Sequence, residues 1–65
     1  MKEKIGNDAG LLWKVLDAQG TKSVKELKKV AKFTDKEVYA AIGWLAREEK
    51  LIFTQEDDDW YVSLA

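Results

Sequence analysis

The 65-residue sequence contains no cysteine, no histidine and no proline. Without cysteine there is no disulfide to staple a small fold and no thiolate to hold a metal. Without histidine the chain loses the usual general base, the commonest metal ligand and the side chain that ordinarily titrates near neutral pH. Without proline, nothing interrupts an element with a fixed backbone angle or a missing donor. Arginine is scarce as well, with Arg47 standing alone among the lysines. The four glycines, Gly6, Gly10, Gly20 and Gly43, are scattered and form no phosphate-cradling loop. No apolar run approaches the roughly 18 residues of a membrane-spanning helix. The opening MKEKIGND has no hydrophobic signal region. A soluble cytoplasmic protein is the expectation, with no cofactor and no enzyme activity.

What is present is charge and aromatic surface. The net charge is only −1, yet it is unevenly placed. Residues 1–32 hold eight lysines against four acids, whereas residues 33–65 hold three basic groups against eight acids. Such a one-sided basic surface attracts phosphates or an acidic protein despite a total near zero. A chain of this length forms one domain, residues 1–65, and buries roughly 60% of the surface its unfolded form exposes. Packing must supply its stability, with a partner subunit the further source that many small proteins use.

Periodicity divides the chain into three helices and two strands. Residues 1–6 read as a lead-in, with Ile5 covering an edge of the core or forming a short strand with the C-terminal hairpin. Asn7 or Asp8 is a candidate cap for a first helix over about Asp8–Gln19. Ala9, Leu12, Trp13 and Leu16 form its apolar face with Val15 beside it, and Gly20 suits the left-handed residue that ends it. Thr21 and Lys22 connect to a second helix. Ser23 and Glu26 form a capping box there, Val24, Leu27, Val30 and Ala31 face inward, and Lys25, Lys28, Lys29 and Lys32 face out.

Thr34 and Glu37 form another capping box, and Phe33 and Val38 suit a hydrophobic staple across it. The third helix so marked runs to about Glu49, with Val38, Ala41, Ile42 and Leu45 as its inner stripe. Lys36, Tyr39, Ala40, Gly43 and Arg47 lie on its outer face. Two helices joined by so short a turn make a helix-turn-helix unit. Leu51–Thr54 and Trp60–Leu64 then favour strands, joined by a five-residue polar link, Gln55–Asp59. Ile52, Val62 and one of Trp60 and Tyr61 are candidates to cover the helices, with the register open. The order α-α-α-β-β gives a mainly α fold with a C-terminal β-hairpin, an α+β winged helix-turn-helix.

The segments IGNDAGLLWKVL, SVKELKKVAKFTDKEVYAAIGWLAREEKLIF and WYVSL resemble a small bacterial winged helix-turn-helix family long classed as a domain of unknown function. The likeness covers nearly the whole chain. It is most specific in Ser23–Leu27 and Tyr39–Glu48. It implies the fold and, by analogy, a nucleic-acid-binding role. It brings no catalytic residues.

The candidate nucleic-acid contacts are Lys22, Lys25, Lys28, Lys29 and Lys32, joined by Lys36, Tyr39 and Arg47 on the third helix. In a helix-turn-helix reader that third helix enters the major groove of double-stranded DNA. It has no outward Asn or Gln, so base readout is thinly supplied. The hairpin tip carries Glu56, Asp57, Asp58 and Asp59, which repel phosphates. That cluster lacks the spacing of a calcium loop. Trp44, Trp60 and Tyr61 are candidate interface residues, because aromatics are enriched at interfaces. Two readings stay open: a DNA-binding domain, transcription-related or otherwise, and a protein-interaction or homodimerisation module with no DNA chemistry.

Overall fold

The computed structural model describes residues 2–65, with side chains described from Glu3 onward. Three helices, α1 (Lys2–Gln19), α2 (Val24–Ala31) and α3 (Asp35–Arg47), pack against an antiparallel sheet. The sheet contains β1 (Lys22–Ser23), β2 (Leu51–Glu56) and β3 (Asp59–Leu64) in the order β1-β3-β2. This is the expected mainly α fold with a C-terminal antiparallel hairpin, arranged as a winged helix-turn-helix.

Both capping boxes form. Ser23 Oγ accepts from the Glu26 N–H at 3.1 Å, and Glu26 Oε1 accepts from the Ser23 N–H at 3.0 Å. Thr34 and Glu37 repeat the exchange at 3.2 and 2.8 Å. Each cap satisfies helix N–H groups that have no partner within the helix. The helix ends are alike too. Gly20, Lys32 and Glu49 all adopt positive φ, at 79°, 57° and 57°. Phe33 N–H reaches the Lys28 carbonyl at 2.9 Å, and Lys50 N–H reaches that of Leu45 at 3.1 Å. This is the six-to-one bond of a Schellman ending. It closes α3 at Arg47, two residues before the expected Glu49.

The core gathers Ala9, Leu12, Leu16, Leu27, Phe33, Val38, Ala41, Ile42, Leu45 and Val62. Phe33 and Val38 are both buried, as a staple requires. Two expected core residues stay outside. Trp13 sits on the flank of α1 and remains 39% exposed, and Val30 lies on the flank of α2 at 43%.

Three local readings are corrected. Residues 2–7 are helical, so α1 begins well before Asn7 or Asp8 and neither caps it. Lys4 explains the extension: its Nζ bridges Asp8 one turn on at 3.0 Å and Glu37 of α3 at 2.6 Å. Ile5 is half-buried within that helix and forms no strand; the third strand comes from Lys22–Ser23, paired with Val62 and Tyr61. Lastly, the hairpin pairing continues through Gln55↔Trp60 and Glu56↔Asp59. The link is therefore the two residues Asp57–Asp58, with Asp57 at φ 54°. Asp tolerates that left-handed region better than most residues.

Register decides the wing's faces, since alternate residues share a side. Val62 is fully buried against the helices, and Trp60 and Leu64 share its face, opposite Gln55 and Leu51. Phe53 pairs directly with Val62. Ile52, expected to cover the helices, falls on the other face and is 51% exposed.

Candidate nucleic-acid interface

The capping residue Ser23 fixes where α2 starts and hence which residues its outer face presents. Lys25, Lys28, Lys29 and Lys32 converge around a shallow depression of about 360 Å³ floored by Phe33. Lys32 reaches that rim through its left-handed backbone. Two of the four are tied down. Lys28 Nζ meets Asp35 of α3 at 2.7 Å, and Lys25 Nζ meets Asp59 at the head of β3 at 3.4 Å. Both pairs are largely solvent-exposed, so each contributes little stability. They do lower the local positive charge. Lys29 and Lys32 form no ion pair among the described residues, nor does exposed Lys36, one residue past Asp35.

The remaining candidates are placed elsewhere. Lys22 belongs to β1, half-buried opposite Val62. It helps to hold Glu26 below the usual carboxylate range, after the larger effect of the hydrogen bonds from Ser23. Arg47 sits at the far end of α3 beside Trp44 and Glu48. Tyr39 is exposed, yet its ring is one wall of an apolar groove of about 410 Å³ shared with Val24, Ile42, Phe53 and Trp60. The eight residues thus divide into a lysine cluster on α2 continued by Lys36, a tyrosine in an apolar groove, and two outliers.

The acidic wing tip borders the same region. Asp58 and Asp59 share a small recess with Val24, Lys25, Tyr39 and Trp60. Carboxylates therefore flank the face that a winged helix turns toward DNA, and the lysines lie to one side of them.

The aromatic candidates occupy three different places. Trp44 is half-buried and packs over Gly6, where an added Cβ would sit 3.7 Å from its Cζ2. Tyr61 is half-buried on the wing's outer face, paired with Thr54 and Ser23. Trp60 lies on the helix side, 48% exposed. Its ring meets Phe53 edge to face, at 6.5 Å and 83°. The groove members Val24, Ile42 and Phe53 were not among the sequence candidates. Only the register, which pairs Phe53 with Val62 and sets Trp60 diagonally beside it, places them together.

At the N-terminus of α3, Glu37 is held far below the ordinary carboxylate range, at about 2. The hydrogen bond from Lys4 is the main cause and the Thr34 N–H the next. The same contact raises Lys4. Among the described residues, no group of three or more His, Cys, Asp or Glu could hold a metal ion. No helix there is long and apolar enough to cross a membrane.

Helix-turn-helix, third strand and wing together define a winged helix-turn-helix domain. The chain belongs to the family described as Winged helix-turn-helix domain (DUF2582), whose model matches residues 1–64. It is also 36% identical over 64 residues to Uncharacterized protein MJ1608 of Methanocaldococcus jannaschii, an alignment covering 94% of this chain and 90% of that protein.

Proposed function

We propose that this domain is a non-enzymatic DNA-binding protein, transcription-related, that grips the phosphate backbone mainly through α2. The observation that carries the reading is the convergence of Lys25, Lys28, Lys29 and Lys32 around one depression, with Lys36 on α3 one residue past Asp35, the ion-pair partner of Lys28. In a helix-turn-helix the first helix of the unit crosses the backbone while the second enters the groove. A cluster of this kind neutralises several phosphates and releases their counterions. Base readout is a smaller part. Lys36 is the one long cation on the first turn of α3, and Tyr39 turns toward the apolar groove. The affinity is therefore electrostatic, with modest sequence preference, and the acidic wing stays off the duplex.

Fluorescence anisotropy with labelled duplex DNA tests this. Neutralising about four phosphates predicts a roughly hundredfold loss of affinity between 50 and 200 mM salt. The quadruple variant K25A/K28A/K29A/K32A, checked for folding by circular dichroism, should lose binding at low salt. Absence of binding by the folded native protein at about 50 mM salt sinks the reading.

The apolar groove of Tyr39, Phe53 and Trp60 favours a second reading, a protein-interaction or homodimerisation module. Exposed rings in a concave apolar surface are the ordinary anchors of protein interfaces.

A further inference from the structure

The groove walled by Val24, Tyr39, Ile42, Phe53 and Trp60 encloses about 410 Å³, and its walls are almost wholly apolar. The helices α2 and α3 supply Val24, Tyr39 and Ile42, and the hairpin supplies Phe53 and Trp60. Tyr39, Phe53 and Trp60 remain 62%, 43% and 48% exposed, so the fold itself leaves much of their apolar surface in water. Concave apolar surface of this kind is what a ligand covers. Phe53 and Trp60 stand at 83° to each other and so form a corner, which Tyr39 faces from the helix side.

Charge borders the groove at the wing tip. The recess that holds Lys25, Asp58 and Asp59 shares Val24, Tyr39 and Trp60 with the groove, so the two are continuous. Asp58 forms no ion pair among the described residues, and Asp59 meets Lys25 at 3.4 Å in an exposed pair. An ammonium group at these carboxylates lies beside the rings of Tyr39 and Trp60, where cation–π attraction adds to the ion pair. The Lys25 Nζ already stands in for such a group. Size narrows the class further. A stable protein interface covers about 800 Å² per partner, whereas five residues wall this groove. Its volume falls at the lower end of the small-molecule range, enough for one or two fused rings.

We propose that the groove binds a small organic cation, an aromatic body carrying one primary ammonium group. The rings sit among Tyr39, Phe53 and Trp60, and the ammonium displaces Lys25 from Asp59. One consequence rests on α2 being the DNA face: the bound cation releases Lys25 to the phosphates, so ligand and DNA reinforce each other's binding.

Tryptamine is the probe, with ethylindole as its neutral counterpart and indolepropionate as its anionic one. Each is titrated into the full chain without DNA at about 50 mM salt, and the amide and indole N–H signals are followed by NMR. The expected result for tryptamine is saturable shifts at the Trp60 indole and at the amides of Val24, Tyr39 and Phe53, with a dissociation constant of about 1 mM. Ethylindole should bind about fivefold more weakly, and indolepropionate more weakly still. The variant D58N/D59N should bind tryptamine about fivefold more weakly and ethylindole as before. Lys25→Ala removes the competing cation and should bind tryptamine about twofold to fivefold more tightly. With duplex DNA present, saturating tryptamine should steepen the salt dependence by about one phosphate. No saturable shift up to about 10 mM tryptamine overturns the proposal. Equal affinity for the three indoles overturns it too, since that marks a plain apolar surface of the kind a protein partner covers. If the native protein binds no DNA, the reading of α2 fails while the DNA-free titration still decides the ligand site. An unchanged salt dependence with both sites occupied overturns the coupling.

Discussion

Glu37 shows how much one side chain contributes to this fold. It closes the capping box with Thr34 and receives Lys4 from a helix 33 positions earlier in the sequence. Its carboxyl titrates at about 2 in the folded protein, below its unfolded value. A depressed carboxylate contributes stability that is present above the unfolded pKa and lost as pH falls through the folded one. Urea unfolding should therefore show stability falling from the ordinary carboxylate range down toward pH about 2. Glu37→Gln retains a cap acceptor but loses the ion pair, so its acid limb should be flatter. A Glu37→Gln curve parallel to the native one contradicts the assignment. Thr34→Ala removes the reciprocal half of the box and should cost about 1 kcal/mol, read from the urea midpoint. The two capping boxes were legible in the sequence because every partner lies three residues away. The Lys4–Glu37 contact was not, because nothing local reveals a partner on another helix. Residues 2–6 of the expected lead-in are the first turns of α1; position 1 lies outside the described residues.

Among the elements, the helix endings and the hairpin teach different lessons. Gly20 was recognisable as a left-handed terminator, since glycine takes that backbone without a Cβ penalty. Lys32 and Glu49 adopt the same conformation with side chains that ordinarily avoid it, and their sequences gave no such sign. Glu49→Gly should accordingly stabilise the protein by about 0.5–1 kcal/mol, seen as a higher urea midpoint. A lower midpoint would mean that the Glu49 side chain makes a contact worth more than the backbone strain. The hairpin was legible as two strands, but its turn was not. Gln55, Glu56 and Asp59 lack hydrophobic alternation and read as loop, whereas they continue the ladder to a two-residue turn. That extension sets β2 at six residues.

At the scale of the whole molecule, a 65-residue fold holds about 3–10 kcal/mol of stability. Leu27 is fully buried where α2 meets the core. Leu27→Ala should remove about 3 kcal/mol, leaving a domain near its limit at ambient temperature, which a thermal melt would register. The fold class was readable because order, capping and inner stripes all agreed. The candidate site was readable only in part. Lys25, Lys28, Lys29 and Lys32 recur at the three- and four-residue spacing of a helix and so share one face, but Tyr39 and Arg47 were grouped with them by outward position alone. Position on a helix does not reveal that the wing folds an aromatic wall against Tyr39.

The DNA face proposed for this domain is α2 with the first turn of α3. Amide NMR of the labelled protein, titrated with duplex DNA at about 50 mM salt, addresses it residue by residue. Shifts concentrated at Lys25–Lys32 and at Asp35–Lys36, fading as salt rises, with Asp57–Asp58 unmoved, are the expected result. A spectrum that does not change, or one whose changes centre on the wing tip, contradicts it.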